Sequence, residues 1–465
     1  MKRFRLGFYI LLMLAALNMA AAADPPPEPH QTFQPIIIQA RSAHPEPMVE
    51  LRGLWVNRYD WTSWGRAADP AKIDEIVQNA AYAGFNVIFF QVRGAADAYY
   101  ASELEPWAWR VSGGDLGQAP DPYWDPLAYF VEKAHAAGLQ LHAYLNVYPL
   151  TDGGIFCDRI PDETVSPTPL YHQLLSEYGA TAGQLNGAIW QENGTLLCSS
   201  YRYASPASAF AADHIIAVVK DLATRYDIDG IHLDYIRYPD PKTSCDPVSL
   251  CQFSGQGETC ASPPACVIDD AYKDWQREQV NALLQRSYDE IISLADDTWL
   301  SAAVWPLHTQ SPEMNLPGQP ISGYHTYYQD SKGWLAGGYI DAIAPMIYPS
   351  SFHCPDDSYW SRAVWKTLVT DFQADSHGRA IIPGIGSGYC TFDEIATRID
   401  MAREIGAAGH ALFSYRGLLQ NGYFDDLRRG PYFTPAVVPE LLWRSGRPAS
   451  QTPPVRAERH SGDIP

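Results

Sequence analysis

Eight short apolar runs, separated mostly by amphipathic helical segments, constrain the fold of this chain more than any other feature. The runs are RGLWVNR (52–58), NVIFFQVR (86–93), LQLHAYLNVY (139–148), GIHLDYIR (230–237), WLSAAVWP (299–306), YIDAIAPMIYP (339–349), RAIIPGIG (379–386) and HALFSYRG (410–417). Their length and their branched and aromatic residues are typical of buried strands. Strands that alternate with helices indicate an α/β chain with parallel strands, and the number of runs predicts a closed (β/α)8 barrel of the TIM type.

The segments between the runs carry helix signals. Segment 70–84 begins at Pro70 and ends at Gly84, as helices commonly do. The other predicted helices are 123–138, 206–227, 269–295, 359–375 and 391–406, and the fifth connection, near 330–338, is short and weak. An open, doubly wound sheet is the alternative fold. No G-x-G-x-x-G follows the first run and no P-loop motif occurs, so the barrel is favoured.

The N-terminus predicts export. Lys2, Arg3 and Arg5 precede a short apolar run, which ends before three alanines at 21–23. This pattern is typical of a secretory signal peptide, and the run is short for a membrane span. An uncleaved anchor is the alternative. We expect cleavage near Ala23, no membrane span in the mature chain, and a periplasmic or extracellular protein.

The rest of the chain divides by composition. Residues 24–49 are Pro-rich and predict a surface linker, residues 50–433 hold the predicted barrel, and residues 434–465 form a Pro- and Arg-rich tail that we expect to be disordered. The oligomeric state cannot be read from these features.

The eight cysteines are an even number, and in an exported protein they predict disulfides. All of them follow strands, in segments that form the catalytic face of a barrel. We predict Cys157–Cys198, Cys354–Cys390 and pairing among Cys245, Cys251, Cys260 and Cys266, whose connectivity stays open. The last four lack C-x2-C zinc spacing, so we predict no metal, and no cofactor motif is evident.

The charge balance narrows the classes of partner. With 33 Lys+Arg against 53 Asp+Glu, the net charge is −20, which disfavours nucleic acid and anionic membranes. The 14 Trp and 28 Tyr suit stacking on a polysaccharide, although such residues also fill cores.

Polar and aromatic side chains collect at the ends of the predicted strands. Carboxylate, guanidinium and amide groups beside Trp and Tyr rings are suited to sugar binding, because hydroxyls take polar contacts and C–H faces stack on rings. We predict that twelve of these residues bind substrate: Arg58, Trp61, Gln91, Arg93, Asn146, Tyr148, His232, Tyr235, Arg237, Trp305, Tyr348 and Tyr415.

Two carboxyl groups are needed for glycoside hydrolysis. Asp234, at the end of the fourth run, is the strongest candidate, and Asp97 or Glu105 is the predicted partner, with Asp60 a further candidate. The alternatives are structural. Asp234 could form a structural ion pair with Arg93 or Arg58, Glu105 could cap a helix or loop, and His232 could be a hydrogen-bonded core residue. No G-x-S-x-G or H-E-x-x-H motif supports acyl transfer or zinc proteolysis.

Six motifs carry a family resemblance: RGLWVN, FQVRGAADAYYASELEPWAW, DPLAYFVEKAHAAGLQLHAYLNVY, DGIHLDYIRYP, WQREQVNALL and DAIAPMIYP. Together, from about Arg52 to Tyr348, the chain resembles the bacterial glycosyl-hydrolase-like family 10. The resemblance implies a (β/α)8 barrel in an exported protein that acts on a glycan, and similar proteins include enzymes that cleave peptide-free peptidoglycan strands. It places family motif positions on Gln91, Val92, Arg93, Asp97, Tyr100, Ser102, Glu105, Pro106 and Trp107, and on Asp229, Gly230, His232, Asp234, Tyr238 and Pro239.

The chain departs from the family pattern at two places. Tyr235 stands where many members carry a second aspartate, and AAVWPLHT replaces a Gly-Ile-Ser-Pro-like turn after the fifth run. Both changes affect the predicted substrate face. The sequence therefore predicts a secreted glycoside hydrolase of unspecified sugar and linkage, and the alternative is a non-catalytic glycan-binding barrel of the cell envelope.

Overall fold

The computed structural model describes residues 46–152, 159–295, 297–318, 320–349, 352–354 and 359–444. The predicted signal peptide, most of the linker and the end of the tail lie outside these residues. Within the described ranges, no helix is long and apolar enough to cross a membrane.

In the part of the chain that the structure describes, nine strands form one curled sheet. Its strands are β1 Leu51–Val56, β2 Val87–Arg93, β3 Gln140–Asn146, β4 Gly230–Asp234, β5 Trp299–Val304, β6 Ala342–Pro345, β7 Ala380–Ile381, β8 Gly384–Gly386 and β9 Gly409–Phe413. The order across the sheet is β7-β6-β5-β4-β3-β2-β1-β9-β8, and every pair is parallel. The eight predicted strands are all present in this sheet.

The seventh predicted strand is divided in two. Pro383 has no N–H to donate, so the ladder of hydrogen bonds stops there and the predicted strand is divided into β7 and β8. β7 pairs with β6, whereas β8 pairs with β9. The two end strands of the sheet are therefore separated in the chain only by Ile382 and Pro383, and the sheet is strongly curled.

We number eight of the described helices, each of which follows a strand of the sheet. They are α1 Pro70–Ala83, α2 Pro126–Ala136, α3 Ala209–Arg225, α4 Asp270–Leu294, α5 Ser331–Gly337, α6 Arg362–Ala374, α7 Phe392–Ile405 and α8 Tyr415–Asn421. The ends of α1 lie where the sequence predicts them: the Asp69 side chain caps its N-terminus, and Gly84, with φ +98°, ends it. The weak fifth connection forms α5, which Asp330 caps.

Two apolar layers cover the two faces of the sheet. Ile88 and Phe90 of β2 belong to a large cluster that includes Ile73 and Ile76 of α1. Phe89, which points the other way, belongs to a second cluster inside the curl. A strand that is buried on both faces explains the continuous apolar runs of the sequence.

Part of the predicted tail is packed against the domain. Ala436–Val437 pairs in parallel with Met48–Val49. The indole of Trp443 donates to Asp341 Oδ1 at 2.8 Å, and Arg444 pairs with the same carboxylate. Within residues 434–444, the first part thus pairs with the segment before β1, and Trp443 and Arg444 contact the residue just before β6.

The remaining described elements are short. The helices are Arg58–Trp61, Trp109–Ser112, Leu170–Tyr178, Pro247–Phe253, Gly323–Thr326 and Phe424–Arg429; the strands are Pro149–Asp152, Ala180–Thr181, Gln184–Leu185 and Tyr201–Tyr203; the 3-10 helices are Pro312–Met314 and Leu442–Arg444. Most of these short elements lie in the segments that follow strands of the nine-stranded sheet.

Disulfides join the segments that follow strands. Cys245–Cys266 and Cys251–Cys260 form within the segment after β4, which resolves the connectivity that the sequence left open. Cys354–Cys390 joins the segments after β6 and β8, as predicted. The predicted Cys157–Cys198 pair falls on a residue outside the described ranges.

Disulfide mapping checks the fourth pair. We expect non-reducing digestion and mass spectrometry to recover the three described disulfides and a fourth peptide that joins Cys157 to Cys198, because both lie in one segment after β3. Reduction before digestion is the control. A peptide that joins Cys157 to any other cysteine would contradict the prediction.

Candidate active site

A cavity of about 720 Å³ opens at the carboxyl ends of the strands. Among the described residues, its walls combine one carboxylate, two guanidinium groups, three amides and many aromatic rings. The residues that line it are Asn57, Arg58, Tyr59, Gln91, Tyr144, Asn146, Tyr201, Asp234, Tyr235, Arg237, Trp305, Pro306, Pro317, Pro320, Ile321, Met346, Tyr348, Tyr359, Trp360 and Phe413. In α/β barrels, active sites form at this end of the sheet.

Asp234 is the last residue of β4 and is 7% exposed. Its Oδ2 accepts from the Tyr144 hydroxyl at 2.8 Å, and its Oδ1 accepts from Arg237 Nη1 at 2.8 Å and from the Tyr235 N–H at 2.6 Å. Tyr235 has φ +52°, so the chain turns sharply after the carboxylate. The three donors compensate the burial of the charge and fix the carboxylate at the cavity wall.

His232 lies one layer below Asp234, because alternate residues of a strand share a face. The Trp55 indole donates to His232 Nε2 at 3.1 Å, and His232 Nδ1 lies 2.9 Å from the Ser301 hydroxyl. Burial lowers the pKa of His232 to about 3. It is therefore a neutral core residue that supports the cavity floor, and the structure does not bring it to the cavity.

Asn146 presents an acceptor to the cavity. It pairs in register with Asp234 across β3 and β4. Its Oδ1 is buried, and no described residue hydrogen-bonds to it. An unsatisfied buried acceptor is costly, so this atom is suited to a donor from a ligand, such as a sugar hydroxyl.

Aromatic rings form the walls of the cavity. Tyr348 and Phe413 stack with ring centres 4.8 Å apart at 8°. The Trp305 ring packs against Tyr327 at 4.3 Å, and its indole N–H donates to the Ile321 carbonyl at 2.7 Å. Rings that are held in this way offer flat apolar faces for the C–H surfaces of sugars.

The structure brings together about half of the residues predicted from the sequence. Eight line the cavity: Asp234, Arg58, Gln91, Asn146, Tyr235, Arg237, Trp305 and Tyr348. Seven do not: Asp97, Glu105, Trp61, Arg93, Tyr148, His232 and Tyr415. Trp61 packs in the core against Phe90, and the Tyr415 hydroxyl donates to Glu75.

Glu105 is fully engaged in a buried ion pair. Arg93 Nη2 lies 2.7 Å from its Oε1, and His214 Nε2 lies 3.0 Å from the same oxygen. Burial by itself would raise the pKa of Glu105, but the Arg93 charge and the His214 hydrogen bond lower it to about 2. Such an acid holds no proton near neutral pH. Arg93 also donates to the Asn146 and Val147 carbonyls, so the pair fixes the end of β3.

The structure thus assigns the counter-charge of Asp234 to Arg237, because Arg93 is committed to Glu105.

Asp97 lines a separate pocket of about 130 Å³, together with Trp109 and Asp152. Its Oδ1 accepts from the Ala95 N–H at 2.7 Å. Burial raises the pKa of Asp97 to about 6, and the nearby Arg58 charge opposes the increase. Asp97 is therefore partly protonated near neutral pH, but it does not share the cavity with Asp234.

Asp60 behaves similarly, since burial raises its pKa to about 6, but it accepts the Asn57 N–H at 2.8 Å as a helix cap.

The raised pKa of Asp97 makes a prediction about stability. The folded protein keeps the Asp97 proton up to about pH 6, whereas the unfolded chain loses it near pH 4, so this group lowers the unfolding free energy as pH rises across that window. We therefore expect the unfolding free energy of Asp97→Asn, measured by urea unfolding, to rise relative to that of the parent by roughly 2–3 kcal/mol between pH 4 and pH 7. Asp115→Asn, at an exposed site, is the control. Parallel pH profiles for parent and Asp97→Asn would contradict the account.

Several lining residues were not predicted. Tyr144 precedes Asn146 by two positions on β3 and so shares its face, a signal that the alternation of the strand carries. Tyr201 and Trp360 come from segments whose approach to the cavity depends on long-range packing, and the sequence pattern contains no signal for them.

A family model for Glycosyl hydrolase-like 10 matches residues 50–373. Two similar proteins are "Glycosyl hydrolase YngK" from Bacillus subtilis, 25% identical over 85% of this chain and 74% of the relative, and "Glycosyl hydrolase DigH" from Escherichia coli K12, 25% identical over 73% and 74%.

Solved structures share the fold at low identity. The PgaB (BpsB) glycoside hydrolase domain from Bordetella bronchiseptica aligns with a TM-score of 0.51 at 15% identity, over 82% of this chain and 98% of that one. The catalytic domain of β-amylase from Paenibacillus polymyxa aligns with a TM-score of 0.50 at 13% identity, over the same shares of the two chains.

Proposed function

Because the chain belongs to the glycosyl hydrolase-like 10 family, we propose that it is a glycoside hydrolase that cleaves O-glycosidic bonds in a polysaccharide. The observation that carries the proposal is the Asp234 carboxylate, which is fixed by three donors in the wall of an aromatic cavity. We further propose that the curled sheet is the closed (β/α)8 barrel of the sequence prediction, with the segment from β7 to β8 as its interrupted strand.

In the proposed mechanism, Asp234 acts as the nucleophile or general base. A second carboxyl group must donate a proton to the leaving oxygen. Glu105 is unsuited because its pKa is about 2, whereas a pKa of about 6 suits Asp97 to the role of general acid. Arg58 lines the cavity and lowers the pKa of Asp97. Asp97 lies in a separate pocket, so its proposed role requires that this pocket open to the cavity when substrate binds.

We propose peptide-free peptidoglycan strands as a substrate. Muramic acid carries a carboxylate once its peptide is removed. Among the described lining residues, Arg58 and Arg237 are the guanidinium groups and Asp234 the carboxylate, so the charge balance of the wall favours an acidic glycan. Arg58 donates to the hydroxyls of Tyr59 and Tyr201, and its charge acts on Asp97 without a direct ion pair among the described residues. We propose that the same charge attracts the carboxylate of the glycan.

A non-catalytic glycan-binding barrel is the second candidate. One observation favours it: of the described residues that line the cavity, Asp234 alone is a carboxylate, and Arg237 pairs with it. Such a protein would bind a glycan and leave it intact.

A glycan panel tests the two candidates together. The full chain is incubated with peptide-free peptidoglycan strands, chitin oligosaccharides and a neutral β-glucan, and both binding and products are measured. We expect binding and shortened products with the first of these. Binding without products would support the second candidate, and neither binding nor products with any of them would contradict both.

The proposed location is the periplasm or the extracellular space. Three disulfides support it, because such bonds persist in oxidising compartments. We expect exported material to begin at or close to Asp24 when its N-terminus is determined by mass spectrometry. Chain that retains Met1 in a membrane fraction would show that the apolar run is an anchor.

A further inference from the structure

Three aromatic rings and one guanidinium group form a continuous strip at the mouth of the cavity. Tyr59 lines the cavity and is 43% exposed. Arg110 Cζ lies 4.7 Å from the Tyr59 ring centre and 5.0 Å from that of Trp109. The Trp109 ring in turn lies 4.7 Å from Trp64, which is 70% exposed. We call Tyr59, Arg110, Trp109 and Trp64 the aromatic strip.

The aromatic strip is held in place by polar contacts. Arg110 Nε donates to the Thr62 hydroxyl at 2.8 Å, and the Trp109 indole donates to Asp152 Oδ2 at 3.2 Å. Trp64 lies in a turn closed by the bridge between Ser63 and Arg66. A surface that is ordered before it binds loses less conformational entropy on binding.

Packing in the hydrophobic core does not explain why these rings lie at the surface. Trp64 leaves most of its ring in water, so it adds little to the burial of apolar surface. Tyr59 is also exposed and Trp109 is half-buried, and aromatic rings that reach the surface in one patch commonly mark a binding site. The exposed parts of the Trp64 and Tyr59 rings are available to C–H groups, and Arg110 offers N–H donors to hydroxyls. This combination suits a sugar better than it suits an apolar protein surface.

We propose that the aromatic strip binds further sugar units of the glycan whose scissile bond lies in the cavity. This inference rests on the proposed function and deepens it, since it defines the substrate as a long strand rather than a short oligosaccharide. We assign the strip to the same glycan because it is continuous with the cavity. Tyr59 belongs both to the cavity wall and to the aromatic strip, so a glycan strand that leaves the cavity passes directly onto Arg110, Trp109 and Trp64.

The test compares two lengths of one probe. The full chain is immobilised, and its affinity for long peptide-free peptidoglycan strands and for the tetrasaccharide from the same strands is measured by surface plasmon resonance, in which flow replaces any hydrolysed ligand. We expect the parent to bind long strands more tightly. Trp64→Ala should reduce the ratio of long-strand to tetrasaccharide affinity by roughly threefold to tenfold. Phe433→Ala, a 72% exposed ring next to Tyr432, is the matched control and should leave the ratio unchanged.

The outcomes separate the inference from the proposed function. Tight binding of both lengths with an unchanged ratio in Trp64→Ala would overturn the inference and leave the proposed function intact. An equal loss in Phe433→Ala would also overturn it. If the parent binds neither length, the proposed substrate and the inference both fail.

Discussion

Asp234→Asn is expected to lower turnover of a cleaved glycan about a thousandfold or more while the protein remains folded. Asparagine keeps the shape of the side chain: its Oδ1 can still accept from Arg237, and its NH2 group can donate to the Tyr144 hydroxyl oxygen in place of the bond that Oδ2 accepts. It lacks the negative charge that a nucleophile or base requires. Losses of this size correspond to about 4 kcal/mol of transition-state stabilisation. Turnover and thermal unfolding are measured on the same preparation.

Parallel variants assign the second carboxyl group. We expect Asp97→Asn to match the loss in Asp234→Asn, and Asp240→Asn, at an exposed site three residues after Arg237, to retain the activity of the parent. Near-normal turnover in Asp234→Asn would contradict the mechanism. If that variant also melted at a lower temperature, Asp234 would instead be half of a structural ion pair with Arg237.

Arg93→Met is expected to lower the free energy of unfolding by about 3–5 kcal/mol. The change leaves the Glu105 carboxylate buried beside His214 alone and removes the donors to the Asn146 and Val147 carbonyls. Methionine keeps most of the volume, so the loss reports the unpaired charge rather than a cavity. Urea unfolding at pH 7 measures it.

The pH dependence supplies an independent check. The pKa of Glu105 is about 2 in the folded protein and lies near its usual value of 4.5 in the unfolded chain, so its stabilisation is present above about pH 4.5 and is lost as pH falls toward 2. We expect the difference between parent and Arg93→Met to shrink across that window. As a control, Lys72→Met, which breaks an exposed ion pair with Glu75, should lower the free energy of unfolding by less than about 1 kcal/mol. Equal costs for the two variants would contradict the account.

The regular elements could be predicted because their signals are local. Pro70, Asp69 and Gly84 define α1 from the sequence alone, and two-sided burial makes each strand a continuous apolar run. The sequence also contained a signal for the division of the seventh strand, because the backbone of Pro383 cannot donate a hydrogen bond to a neighbouring strand. The tail was harder to predict: its contact with Asp341 joins residues about a hundred positions apart.

Sequence reasoning placed residues at the cavity where strand alternation holds and misplaced them where it breaks. Asp234 and Asn146 end regular strands, and both line the cavity. On β2, the register with β3 shifts between Gln91 and Arg93, so Gln91 lines the cavity whereas Arg93 pairs with Glu105. A bulge of this kind changes the direction of a side chain without a clear sequence signal.

The most direct test of the central claim is a count of new reducing ends released from peptide-free peptidoglycan strands by the full chain, with the mass of each product. We expect reducing ends to accumulate with time, each product to gain one water per bond cleaved, and Asp234→Asn to release almost none. Strands that stay intact while the protein remains bound to them would contradict the assignment of this chain as a glycoside hydrolase.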